Sequence, residues 1–185
     1  ALETAKFAWE CGINALIIQD LGLARLIKRH FPFMPIHAST QLSVHSVEAL
    51  ETLKEIGFER VVVAREMDKE ALKRFCKRAK ELDIEVEAFV HGALCMCLSG
   101  QCYLSSVLGG RSGNRGLCAQ PCRLEYSCNG KEGHLLSLKD MSLIDYIGEL
   151  AEIGVCSFKI EGRMKRAEYV AAATAVCRAA ALKEP

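Results

Sequence analysis

Four cysteines, Cys95, Cys102, Cys118 and Cys122, stand in the pattern C-x6-C-x15-C-x3-C. Four thiolates can hold a zinc ion or an iron–sulfur cluster. The last pair, in CAQPC, suits a zinc knuckle. The first pair is too widely spaced for one, since knuckles leave about two to four residues between ligands. A cluster-binding loop tolerates irregular spacing, and the glycines of GGRSGNRGLCAQPCR (109–123) would let backbone amides approach sulfur. The motif departs from CxxxCxxC, because Glu125 stands where a third cysteine would be. Zinc, iron–sulfur and merely structural reduced thiols all remain open on these residues alone. Cys97 and Cys128 are spare and read as core-facing thiols. Cys11, Cys76, Cys156 and Cys177 fall in helix- or strand-like contexts, where a thiol behaves as a small hydrophobe.

The surroundings of these thiols are positively charged. From Ala88 to Leu124 there is no Asp or Glu, while Arg111, Arg115 and Arg123 are present. Guanidinium groups can clamp a carboxylate or phosphate. Other polar residues close the apolar runs: Gln41, the pair Arg65–Glu66, His91, and then Lys159, Glu161 and Arg163. Glu66, His91, Lys159 and Glu161 are the catalytic candidates. Gln41, Arg65 and Arg163 join the three loop arginines as substrate-binding candidates. The bland alternative is that Arg65–Glu66 and Lys159–Glu161–Arg163 are ion pairs at loop ends. No HExxH, GxSxG or P-loop is present.

Positioning such residues requires a scaffold of alternating elements. Apolar runs at 14–20, 34–40, 60–66 and 84–92 predict strands, and amphipathic segments at 21–31, 43–57 and 68–82 predict helices. Gly57 is a plausible helix stop and Asp68 a helix start. A helix over 141–153, a strand over 155–162 and a helix over 166–182 follow. Strand–helix–strand units with short links imply a parallel sheet. The glycine-rich first turn of a dinucleotide-binding sheet is missing. The expectation is therefore α/β, a partial TIM-like (β/α) barrel, with five strands visible of the eight needed. It divides into barrel elements at 1–91, a Cys/Gly/Arg-rich insertion loop at 92–133, and a closing segment at 134–185. The opening ALETAKFAWECG lacks an initiator Met and a cap, which reads as a fragment of something longer. In such a barrel the polar strand-end residues ring one mouth.

Bulk composition excludes several classes. The chain has 185 residues, half of them hydrophobic and a quarter charged, with a net charge of +1. No global basic field announces nucleic acid, so such binding needs a local patch. No apolar run is long enough for a transmembrane helix, so no membrane partner is expected. Ten cysteines, clustered in a helix-rich chain, suit a metal or redox site in a reducing, cytoplasmic compartment better than a secreted disulfide scaffold.

IIQDLGLARL, IHASTQLSVHS, VVVARE, FVHGALC, SGQCYLSS, GGRSGNRGLCAQPCR, LLSLKDM and SFKIEGRMKRAEYV together resemble the collagenase-like peptidase family of unknown catalytic type, over essentially the whole chain. The resemblance implies a TIM-like barrel, of which this chain would be a fragment lacking the first barrel strands, and a [4Fe–4S] cluster on Cys95, Cys102, Cys118 and Cys122. It further implies C5-hydroxylation of a pyrimidine in tRNA or rRNA, with prephenate implicated as a hydroxyl source. The loop arginines would then neutralise the cofactor's surroundings or bind RNA phosphate. The alternatives are a collagenase-like peptidase, which rests on the family name, and a zinc-stapled RNA-binding module.

Overall fold

A computed structural model describes residues 1–162 and 164–182. The described residues form eight strands: β1 (Leu16–Ile18), β2 (Ile36–Ala38), β3 (Phe58–Val62), β4 (Glu85–Ala93), β5 (Tyr126–Cys128), β6 (Lys131–Gly133), β7 (Asp140–Ser142) and β8 (Ser157–Ile160). The α-helices are α1 (Leu2–Glu10), α2 (Leu21–His30), α3 (Ala49–Ile56), α4 (Lys69–Glu81), α5 (Leu104–Gly109), α6 (Ile147–Glu152) and α7 (Ala167–Leu182). The fold is mixed α/β with a mostly parallel sheet. Strands β1, β2, β3, β4 and β8 run parallel as successive neighbours, with no reversal of order. The far end of β4 also pairs antiparallel with β7.

Local chemistry explains most boundaries. The Asp20 and Asp68 carboxylates accept from the amides of Leu23 (2.7 Å) and Ala71 (2.8 Å), capping α2 and α4. Gly57, at φ 100°, ends α3 in the left-handed region. Two helices differ from expectation. The helix over 43–57 begins only at Ala49, because Ser43 is itself left-handed (φ 56°) and its hydroxyl donates to the Ser99 carbonyl at 2.7 Å. The helix over 141–153 is cut to α6, preceded by a 3-10 turn at Ile144–Tyr146, because residues 140–142 pair with β4. The 92–133 excursion is also partly ordered. It carries α5 and a β5–β6 hairpin turned by Asn129 and Gly130, both at positive φ.

The helices bury one face of the sheet. Ile27, Leu50 and Phe75 pack with Ile36, Phe58, Val61 and Val86 in one cluster, each such side chain contributing about 1.5–3 kcal/mol. The opposite side is charged. Glu87, only 7% exposed, binds the Lys159 ammonium at 2.7 Å, the Ser157 hydroxyl at 2.9 Å and the Arg60 guanidinium at 3.5 Å. Burial alone would raise the Glu87 carboxyl, but Lys159, Ser157 and Arg60 outweigh it and hold the carboxyl below its ordinary value. Nearby His37 is pushed down, first by burial and then by the Arg60 cation.

Removing one partner of a buried pair strands the other's charge. Lys159→Met is therefore expected to destabilise the fold by about 3–5 kcal/mol, read as a lower urea midpoint with an unchanged slope.

Candidate metal and substrate site

The thiol loop lies at the C-terminal ends of the parallel strands. A cavity of about 160 Å³ there is lined by Cys95, Cys97, Cys102, Cys118 and Cys122. Gln41 reaches it from beyond β2, Arg65 from beyond β3, Phe89 from β4 and Glu161 from beyond β8. At about 30 Å³ of liquid per water, this space suits a few waters or one compact group. Arg65 stacks over the Phe89 ring at 5.3 Å, and Lys159 reaches the same ring at 5.7 Å.

One buried serine anchors the loop. Ser99 is 1% exposed. Its amide and hydroxyl donate to the two oxygens of Glu66 at 3.0 and 2.8 Å. Its hydroxyl accepts from the Arg65 amide at 3.1 Å, and its carbonyl accepts from the Ser43 hydroxyl at 2.7 Å. Burial would raise the Glu66 carboxyl, but the Ser99 bonds prevail and hold it below the usual range. At Gly100, φ +75°, a Cβ would meet the Ser43 hydroxyl at 2.4 Å and the Gln41 carbonyl at 2.6 Å, so only glycine permits this approach.

Arg123 makes a second clamp. Its guanidinium donates to the carbonyls of Leu94 (2.8 Å) and Leu138 and to the Ser137 hydroxyl (2.8 Å). Further in, the Ser105 hydroxyl accepts from the Ala119 amide at 3.0 Å, and the Asn114 amide donates to the Gly100 carbonyl at 3.2 Å.

The expected site residues separate into groups. Cys95, Cys102, Cys118, Cys122, Gln41, Arg65, Arg123 and Glu161 share the cavity wall. Glu66 is held on Ser99 instead. Lys159 lies with Glu87. The Nε2 of His91 meets the Tyr169 hydroxyl at 2.9 Å, and its Nδ1 is buried without a partner among the described residues. Arg111 donates to the Leu117 carbonyl at 2.9 Å. Arg115 is exposed. Of the three loop arginines only Arg123 lines the cavity. Arg163 lies outside the described residues. Cys97, expected in the core, lines the cavity, and Cys128, also expected there, is exposed on the β5–β6 hairpin. Cys76 and Cys177 are buried as small hydrophobes, with burial pushing Cys76 up to about 11, whereas Cys11 and Cys156 are exposed. Ser99 has no local sequence signal, because its partner lies 33 residues away.

The donor set suits a thiophilic group. Among the described residues no cluster of three Cys, His, Asp or Glu side chains stands in a ready-made metal geometry. The thiols instead surround the cavity at electrostatic range. Burial raises Cys122, Arg123 opposes it, and Cys95, Cys118 and Cys102 raise it further. That mutual penalty on thiolate charge is what a bound cation relieves. The Gln120 amide already donates to the Cys118 sulfur at 3.3 Å.

Peptidase family U32 matches this chain over residues 1–183. The chain is 41% identical over 174 residues to the 23S rRNA 5-hydroxycytidine C2501 synthase of Escherichia coli, covering 90% of this chain and 26% of that protein. It is 35% identical over 186 residues to tRNA hydroxylation protein P1 of Bacillus subtilis, covering 94% and 43%. It is 34% identical over 188 residues to a collagenase of Porphyromonas gingivalis, covering 92% and 44%. The chain thus spans between a quarter and half the length of these relatives.

Glu66→Ala leaves the Ser99 amide and hydroxyl buried without acceptors, an expected loss of about 1–3 kcal/mol. It should open the 95–102 segment to limited proteolysis. Because the Glu66 pKa is lowered on folding, its contribution is complete above the ordinary carboxylate value of 4.5 and disappears as pH falls through the folded value. Proteolysis of the loop should therefore accelerate below that pH in the wild type but not further in Glu66→Ala.

Proposed function

The chain belongs to peptidase family U32, and from the thiol cavity we propose that it forms the cluster-bearing part of an enzyme that hydroxylates a pyrimidine at C5 in tRNA or rRNA. One observation carries this reading. Four cysteines from a 28-residue stretch, Cys95–Cys122, border a single cavity at the strand ends, in a chain related to RNA hydroxylation proteins. The unbroken parallel order, with the thiols at the C-terminal strand ends, supports a (β/α) barrel arc with its chemistry at the mouth.

On Cys95, Cys102, Cys118 and Cys122, a [4Fe–4S] cluster would supply electron-transfer chemistry, whereas zinc, the alternative, would supply a structural staple. The chain's own residues do the rest. The Gln120 amide steadies the Cys118 sulfur. Glu161, which lines the cavity, would serve as the general base. Gln41 and Arg65 line the near rim and would hold the hydroxyl donor, a carboxylate such as prephenate. Arg115, exposed on the loop, would meet an RNA phosphate. Reduced thiols and an RNA substrate fit a cytoplasmic setting, and no described helix is long and apolar enough to cross a membrane.

Proteolysis is less well supported. The described histidine contacts run to a tyrosine hydroxyl, to backbone carbonyls and, at 3.7 Å, to the Glu125 carboxylate, and none of them reaches a cysteine or serine side chain.

The test is anaerobic purification of the full-length parent with metal analysis and an absorption spectrum. About four irons per chain and a broad visible band are expected. Cys118→Ser and Cys122→Ser should each lose most of the iron and fail to restore the modified pyrimidine in RNA from a deletion strain. Stoichiometric zinc without colour would overturn the cluster.

A further inference from the structure

A second cavity, of about 270 Å³, opens beside the thiol cavity. Ala93, Gln120, Arg123 and Glu161 line both, so one wall separates the two spaces. The volume lies just below the roughly 300–1,000 Å³ typical of ligand pockets. It suits a single planar ring rather than an extended chain.

The rest of its lining joins polar groups of mixed sign (Ser137, Asp140 and Lys165) to two apolar side chains, Leu138 and Met164. Lys165 sits 2.7 Å from Asp140, and this bond holds the Asp140 carboxyl below its ordinary value. Arg123 is already occupied by Ser137 and backbone carbonyls. These cations are neutralised or engaged, so the cavity is poorly suited to a free anion. Carboxylate, hydroxyl, amide and ammonium groups instead offer alternating acceptors and donors. Met164, 63% exposed, adds a soft apolar surface at the edge. Hydrogen-bonding groups with an apolar contact beside them are what an extruded base requires.

Gln120 is the distinctive residue of the shared wall. Its backbone is left-handed, φ 55° and ψ 47°, a region that few residues other than glycine occupy. Such local strain is characteristic of ligand-contacting positions. Its backbone amide faces the Cys118 sulfur. Its side-chain amide, which carries both a donor and an acceptor, makes no hydrogen bond among the described residues.

We propose that this second cavity receives the pyrimidine extruded from the RNA strand and that the Gln120 amide reads its hydrogen-bonding edge, deciding which pyrimidine is accepted. The proposal rests on the RNA reading above. A base seated here borders the thiol cavity through Gln120 and Glu161, so recognition and chemistry share one wall.

The experiment uses the full-length parent. Mass spectrometry of RNA from a deletion strain, complemented with the wild type, first identifies the hydroxylated site. If complementation restores no hydroxylated pyrimidine, the RNA reading fails and this inference falls with it. With the site in hand, a short RNA hairpin carrying it, and the same hairpin abasic at that position, are titrated against wild type, Gln120→Leu and Met164→Asp by fluorescence anisotropy. The wild type should bind the base-bearing hairpin about tenfold more tightly, as expected of a base read by paired hydrogen bonds. Both variants should lose most of that preference while keeping wild-type iron content, and Gln120→Leu should also lose discrimination between cytidine and uridine. An undiminished base preference in both variants, with iron retained, would overturn the pocket.

Discussion

The bonding of Ser99 to Glu66 is the constraint on which the site depends. Ser99 is buried, and its polar groups all find partners at the strand ends: Glu66 and Arg65 beyond β3, and Ser43 beyond β2. A buried polar group without a partner is costly, so this residue has few alternative positions. The thiols flank it in sequence, with Cys95 and Cys97 on one side and Cys102 on the other. Fixing Ser99 therefore fixes the first half of the thiol wall relative to the sheet. Arg123 does the same for the second half, since it follows Cys122 directly and grips the Leu94 carbonyl just before Cys95.

The cavities are consequently built by backbone hydrogen bonding and close approach more than by apolar packing. Gly92, at φ +125°, lies against Glu161, where a Cβ would come within 2.6 Å of both the Glu161 Cβ and its carbonyl oxygen. That contact brings the β8 exit against β4 and sets Glu161 on both cavity walls. The Glu161 amide donates to the His91 carbonyl at 2.8 Å and closes the junction. The wall between the cavities is thus a product of strand pairing, and its side chains inherit the precision of the sheet.

Several polar residues suited to catalysis also carry structural contacts. Glu66 holds the loop, Lys159 balances Glu87, and His91 is packed against Tyr169 with ring centroids 5.7 Å apart. These residues lie in or beside strands, where the polar partners needed to satisfy burial are close at hand. Residue type and strand-end position cannot separate a satisfied buried charge from a reactive one. The distinction depends on which groups surround it.

The sequence by itself determined the alternation of strands and helices, since apolar periodicity is a property of neighbouring residues. It also determined the Asp68 cap, the Gly57 stop and the grouping of cysteines in one excursion. It carried the Asn129–Gly130 hairpin signal as well, although the glycine-rich composition around it obscured two short strands. Resemblance of its motifs already indicated the family. Only the tertiary structure decided that Ser43 leaves the helical pattern, that residues 140–142 become a strand, that Cys97 joins the cavity, that Ser99 anchors the loop and that Gln120 lines both cavities. The physical reason is distance along the chain. Caps and turns are satisfied within a few residues, whereas the Ser43–Ser99 and Glu66–Ser99 bonds join residues 56 and 33 apart. Such bonds are set by how the strands pair, and no local pattern records them.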